Sequence, residues 1–177
     1  NLYIVLACWD DPNAIRRSLS RREPSTPFDT DDYVEITLDT FHDRRHAFVF
    51  DVNPLGVQAD GLYTEGQGTD YSWDTLWYTR GKVTDHGYVI WIAIPFRSLR
   101  FPVGRSDGWG ITLSRYIARK DETDYWPRVS SNVSGRLDQA ASMTGLEDVF
   151  PGRNMQFIPS AASRSFRALN QQAPLQP

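Results

Sequence analysis

From Tyr33 to Asp39 apolar and polar positions alternate without a break, with Val34, Ile36 and Leu38 on one side and Tyr33, Glu35, Thr37 and Asp39 on the other. A period of two is the signature of a strand with one buried face, so one side makes core and the other is free to bind. After the polar turn Phe41–Arg45 a second run, Ala47 to Asn53, places Phe48, Phe50 and Val52 on a common face before Asn53-Pro54-Leu55-Gly56 breaks it. This predicts an antiparallel pair joined by a charged loop.

The same pattern recurs along the chain. Leu2 to Trp9 alternates as a strand, and Asp10-Asp11-Pro12-Asn13 closes it. Asp11 as N-cap with Pro12 at the first helical position predicts a short helix through Ile15 and Leu19. The proline-containing stretch Arg21–Thr30 reads as loop, and Val57–Thr64 as a strand ending in the Gly-rich loop Glu65–Asp70. Short strands follow at Trp73–Tyr78 and Gly81–Thr84. Tyr88 to Phe96 is apolar on both faces, as a strand packed on both sides in mid-sheet would be. Trp109–Tyr116 alternates again, Asp121–Asp124 is a charged turn into Tyr125-Trp126-Pro127, Ser130–Gly135 is loop, and Asp148–Phe157 is a candidate final strand. Short strands with turn signals every ten residues or so, and almost no helix, predict an all-β antiparallel sandwich over residues 1–150, with 151–177 a tail or linker.

At 177 residues the chain suits one domain, burying roughly 70% of its unfolded surface. A formal charge of −3 with 23% charged residues gives no electrostatic support for a nucleic-acid partner. Aromatic residues make up 13%, with six Trp and eight Tyr; Trp73, Trp77 and Trp109 read as packing, while the surplus suits a protein that stacks flat ligands. Cys8 is the only cysteine, which excludes an internal disulfide and a thiolate metal cluster, and its place in an alternating run makes it an inert thiol. The scattered His42, His46 and His86 do not suit zinc. No segment approaches the roughly 18 apolar residues of a membrane-spanning helix, so no membrane insertion by this fragment is expected.

A longer succession carries a resemblance: Leu2-Tyr3-Ile4 with Asp10, Asp31 through Thr40, Phe50-Asp51-Val52-Asn53-Pro54-Leu55-Gly56, Gly87-Tyr88 through Pro95-Phe96, and Trp109-Gly110-Ile111. Over Leu2 to Phe150 it resembles the family-nine carbohydrate-binding modules, and more closely the version at the front of bacterial proteins whose C-terminal part is an outer-membrane β-barrel. The resemblance implies an antiparallel sandwich lacking at least one N-terminal strand, an extracytoplasmic location, and a tail that starts a following domain. For the site it implies Phe28 stacking on a sugar ring and Glu35 bonding its hydroxyls. The position at which the family carries a basic residue is Asp51, Trp126 is the nearest match to a second stacking tryptophan, and Trp91 stands where this branch has Glu. The family's use of structural calcium, with no other cofactor, points to Asp29, Asp31 and Asp32, whose hard oxygens suit that ion.

Two other classes remain open. A glycoside hydrolase of the xylanase or cellulase kind needs two carboxyl groups about 5–5.5 Å apart for retention or about 6.5–9.5 Å for inversion. Glu35 with Asp51, or Glu65 with Asp70, are the candidate pairs. A Gly-x-Ser-x-Gly elbow and a Gly-rich phosphate loop before a helix are both absent from the sequence. The third class is a structural cap on a membrane barrel, which needs neither an aromatic platform nor an acid pair.

Overall fold

The computed structural model describes residues 1–19, 28, 30–104 and 107–152. They form β1 (Leu2–Trp9), β2 (Tyr33–Asp39), β3 (His46–Val52), β4 (Gln58–Thr64), β5 (Gly68–Asp70), β6 (Tyr78–Thr84), β7 (Gly87–Ile94), β8 (Trp109–Ile117), β9 (Glu122–Trp126) and β10 (Ala141–Met143). A three-stranded antiparallel sheet, in the order β1-β7-β6, packs on a seven-stranded one, β10-β8-β2-β3-β4-β5 with β9 also paired to β8. The chain is therefore an all-β antiparallel sandwich. β8 lies against β2 along one edge and shares the other between β10 and β9.

The period-two pattern decides which side chains meet between the sheets. Val34, Ile36 and Leu38 of β2 and Phe48, Phe50 and Val52 of β3 face Tyr88, Ile90, Ile92 and Ile94 of β7, all buried in one core. Each such side chain contributes about 1.5–3 kcal/mol by leaving water, and a one-residue slip of β2 would turn that whole set outward. Glu35, Thr37 and Asp51 consequently share the outer face of the large sheet, Glu35 standing opposite Asp51 in the β2–β3 register.

Several expectations are corrected. Asp11 to Ala14 is a single turn, closed by Ala14 N–H to the Asp11 carbonyl at 2.9 Å, and no helix follows through the described residues to Leu19. The Asp11 carboxylate does accept from Asn13 N–H at 3.0 Å. Beyond it, however, Ile15 enters the core and the Arg16 carbonyl accepts from Asp32 N–H at 2.9 Å, so long-range partners take the groups a helix would use. Only Tyr78 of the expected strand Trp73–Tyr78 is in a ladder; the Gly-rich loop before it instead supplies β5. Trp73 and Trp77 pack on Phe48 and Phe50. The charged turn expected at Asp121–Asp124 becomes mostly strand β9, and β10 replaces the strand expected from Asp148, whose first residues to Gly152 are not strand and whose remainder lies outside the described residues. β7 is in mid-sheet as expected, but only its inner face is packed between sheets; Trp91 on the outer face is half-buried.

Candidate functional site

On the outer face of the large sheet, β2 and β3 place Glu35 and Asp51 side by side beneath a loop that joins β9 to β10. Arg136, from that loop, ion-pairs with Glu35 and donates to Thr37 Oγ1. Thr37 in turn donates to Glu35 Oε1 at 2.9 Å. The guanidinium lies between two rings, 5.4 Å from the centroid of Tyr63 and 5.6 Å from that of Tyr125. Burial alone opposes the Arg136 charge, yet Glu35 beside it holds its pKa above the ordinary value. Glu65 completes the rim: its carboxylate accepts from Leu137 N–H at 3.0 Å and from the Tyr63 hydroxyl at 3.3 Å, tying the loop to β4.

Asp51 forms the floor. It is fully buried, with Oδ2 accepting from the Tyr71 hydroxyl at 2.9 Å. Asp51 Oδ1, Thr112 Oγ1 and Arg136 Nε are buried without a protein partner. All three belong to residues of this face, since Thr112 stands opposite Thr37. Most buried polar atoms find a partner, so three without one around a single constellation single out this face as the candidate site. Burial raises the Tyr33 and Tyr71 pKa values, with Asp51 adding to the rise. These phenols stay neutral, and each offers both a donor and an acceptor.

Burial, and after it the charge of Glu35, push the Asp51 carboxyl well above the ordinary carboxylate range. An acid whose pKa is higher folded than unfolded binds more protons in the native state. Its stabilising contribution is complete below the unfolded value, near 3.8, and is lost as pH rises through the folded one. Asp51→Asn keeps an acceptor for Tyr71 and cannot ionise. It is expected to exceed the wild type by about 1 kcal/mol or more at about pH 8 and to match it at about pH 4, read from urea midpoints. Superimposable pH profiles would mean that Asp51 ionises as freely folded as unfolded.

Among the residues picked from sequence, Glu35, Asp51 and Glu65 converge on this face. Asp70 does not: it is exposed, and its carboxylate accepts from Ser72 N–H at 2.9 Å in the turn after β5. Phe28 is buried, with φ of 52° and its ring 5.7 Å from Tyr33, so it packs against β2 and presents no open ring for stacking. Trp126 is exposed, but the register that pairs it with Leu113 turns it away and gives the site face to Tyr125. Trp91 lies on the other sheet. Asp31 Oδ2 already accepts from Ser18 N–H, Ser18 Oγ and Asn53 Nδ2 at 2.7, 2.9 and 2.9 Å. Asp32 Oδ1 accepts from Ala118 N–H at 2.9 Å, and its other oxygen is buried without a protein partner. Asp29 lies outside the described residues, and among those described no three His, Cys, Asp or Glu are grouped to hold a metal.

No known protein family, curated protein or solved structure matches this chain. The site is therefore read from its own residues. Sequence reasoning missed Arg136, Tyr63, Tyr71, Thr112 and Tyr125. Tyr125 and Tyr63 were reachable from alternation alone once the β8–β9 and β3–β4 registers were set. Arg136 has no periodic signal, because it arrives from the irregular loop between β9 and β10.

Proposed function

We propose that this domain is a carbohydrate-binding module that holds neutral, hydroxyl-rich oligosaccharides on the outer face of its large sheet, within a larger extracytoplasmic bacterial protein. The observation that carries this reading is the Arg136 guanidinium clamped between Tyr63 and Tyr125 above the Glu35–Asp51 pair. A pyranose offers an apolar C–H face to aromatic rings and a ring of hydroxyls, each both donor and acceptor, to fixed polar groups. Tyr125 is the exposed ring of this set, Arg136 and Glu65 are the charged groups nearest solvent, and the deeper Glu35 carboxylate orients Arg136. The resemblance of Leu2–Phe150 to carbohydrate-binding modules agrees with it. The covalent β-barrel that the resemblance implies belongs to the same proposal.

A hydrolase is the second reading, favoured by one observation: Glu35 and Asp51 stand opposite each other in the β2–β3 register, with burial pushing the Asp51 carboxyl well above the ordinary carboxylate range, the kind of pair in which one carboxyl serves as acid and its neighbour as base. Against it, Asp51 is fully buried and Glu35 is engaged by Arg136. Isothermal titration with xylo- and cello-oligosaccharides, run with a reducing-sugar assay, separates the two. Binding heat without sugar release, weakened about tenfold or more by Tyr125→Ala, is expected. Release abolished by Asp51→Asn would move the chain to the hydrolases, and neither heat nor release would favour the structural cap.

A further inference from the structure

The outer face of the small sheet is the more open aromatic surface. Cross-strand rows run Tyr3, Ala93, Tyr78; then Val5, Trp91, Arg80; then Ala7, Val89, Lys82. Tyr3 is 61%, Val5 62% and Tyr78 47% exposed, and Trp9 further along β1 is 75% exposed. Between Trp91, Tyr78, Arg80, Gln58 and Gly56 opens a cavity of about 840 Å³, within the range of small-molecule sites. Its wall is built by close backbone approach: a Cβ on Gly81 would sit 2.5 Å from Gly56 N and 2.4 Å from the Pro54 carbonyl oxygen. Thr79 Oγ1 pins the same loop by donating to the Gly56 carbonyl at 2.6 Å. The Gln58 amide nitrogen donates to the Trp77 carbonyl at 3.1 Å, which leaves its oxygen as an acceptor.

Charge separates this face from the other. β1, β6 and β7 contain no Asp or Glu, whereas the large-sheet face holds Glu35 and Asp51 with Glu65 at its rim. Arg115 and Arg119 are spent on Asp10, and Arg136 on Glu35. The side chains of Arg80 and Lys82 enter no ion pair or hydrogen bond among the described residues. A cavity floored by aromatic rings, with one acceptor and the Arg80 guanidinium at its edge and Lys82 one row beyond, fits a ligand with flat apolar ring faces, hydroxyls and a negative charge. We propose that this face is a second binding site, selective for oligosaccharides containing uronic acid: the sugar stacks on Trp91 and Tyr78, and its carboxylate meets Arg80, with Lys82 one row away. A polyphosphate strand fits less well, since it needs a tract of cations along its path and the chain as a whole carries −3. The inference stands whether or not the large-sheet face binds neutral sugars.

Short oligogalacturonates are the probe, with the same oligomers as methyl esters and an oligothymidylate as controls, followed by tryptophan fluorescence and calorimetry at low salt. The free acid is expected to bind, the methyl ester about tenfold more weakly or worse, and Arg80→Gln to cost about tenfold for the free acid. Arg80 is exposed, so its replacement leaves the fold intact, which far-ultraviolet circular dichroism verifies. Trp91→Phe is expected to weaken binding less than Arg80→Gln, and Lys120→Gln, which removes an exposed cation in the turn after β8, to leave it unchanged. The proposal is overturned by no binding of the free acid, equal binding of acid and ester, or no effect of Arg80→Gln. Oligothymidylate bound as tightly as the oligogalacturonate would also overturn it, leaving charge alone as the determinant.

Discussion

Arg136→Leu is expected to cost about 3–5 kcal/mol in urea unfolding at about pH 7, the penalty for leaving a buried carboxylate without its partner. The guanidinium is the cation paired with Glu35, it also donates to Thr37, and its flat faces lie between Tyr63 and Tyr125. Arg136→Lys keeps the charge but has no planar fork to bridge Glu35 and Thr37 or to lie flat between two rings, so it is expected to lose less, yet measurably. Adding Glu35→Leu to Arg136→Leu is expected to recover most of the loss, because an apolar pair of similar volume leaves no unpaired charge. An Arg136→Leu midpoint equal to that of the wild type would mean that the loop and its arginine do not hold the site closed.

Trp77→Ala is the other large effect, about 3–5 kcal/mol for emptying a buried aromatic site. Trp77 is fully enclosed and meets Phe50 edge-on at 4.9 Å. Its indole N–H donates to Asp60 Oδ1 at 3.0 Å, and Asp60 Oδ2 accepts from Thr75 N–H at 2.8 Å. Trp77→Phe separates packing from hydrogen bonding: the ring is replaced, one donor to the buried carboxylate is lost, and about 1–3 kcal/mol is the expected cost. If Ala and Phe prove equally damaging, the hydrogen bond to Asp60 dominates; if Phe is harmless, packing alone holds this part of the core.

The sandwich was legible because its strands announce themselves with a period of two. Val34-Ile36-Leu38 and Phe48-Phe50-Val52 went inward as their alternation required, and that inward set put Glu35 and Asp51 on one outer face. What alternation cannot supply is which irregular segment covers a sheet. Arg136 reaches Glu35 from a loop 101 residues away in sequence, and nothing local to Arg136 distinguishes it from a solvated arginine. The Asp11-Pro12 helix signal failed for a related reason: its cap geometry formed, but Ile15 and Arg16 are held by the core and by Asp32, and tertiary contacts outweigh a short helix that is marginal by itself. Phe28, singled out as a stacking ring, sits buried at a positive φ against Tyr33, a placement that residue type does not announce. Trp126 missed the site by one position, because adjacent strand residues face opposite sides and Tyr125 took the place on the outer face.

The most direct test of the large-sheet site is residue-resolved NMR of the domain titrated with a neutral xylo-oligosaccharide. The expected result is a contiguous set of shifts at Tyr63, Tyr71, Tyr125, Arg136 and the Glu65 turn, saturating with one curve, while Trp91 and Arg80 stay silent. Shifts confined to the small sheet, or none at saturating sugar, would contradict it.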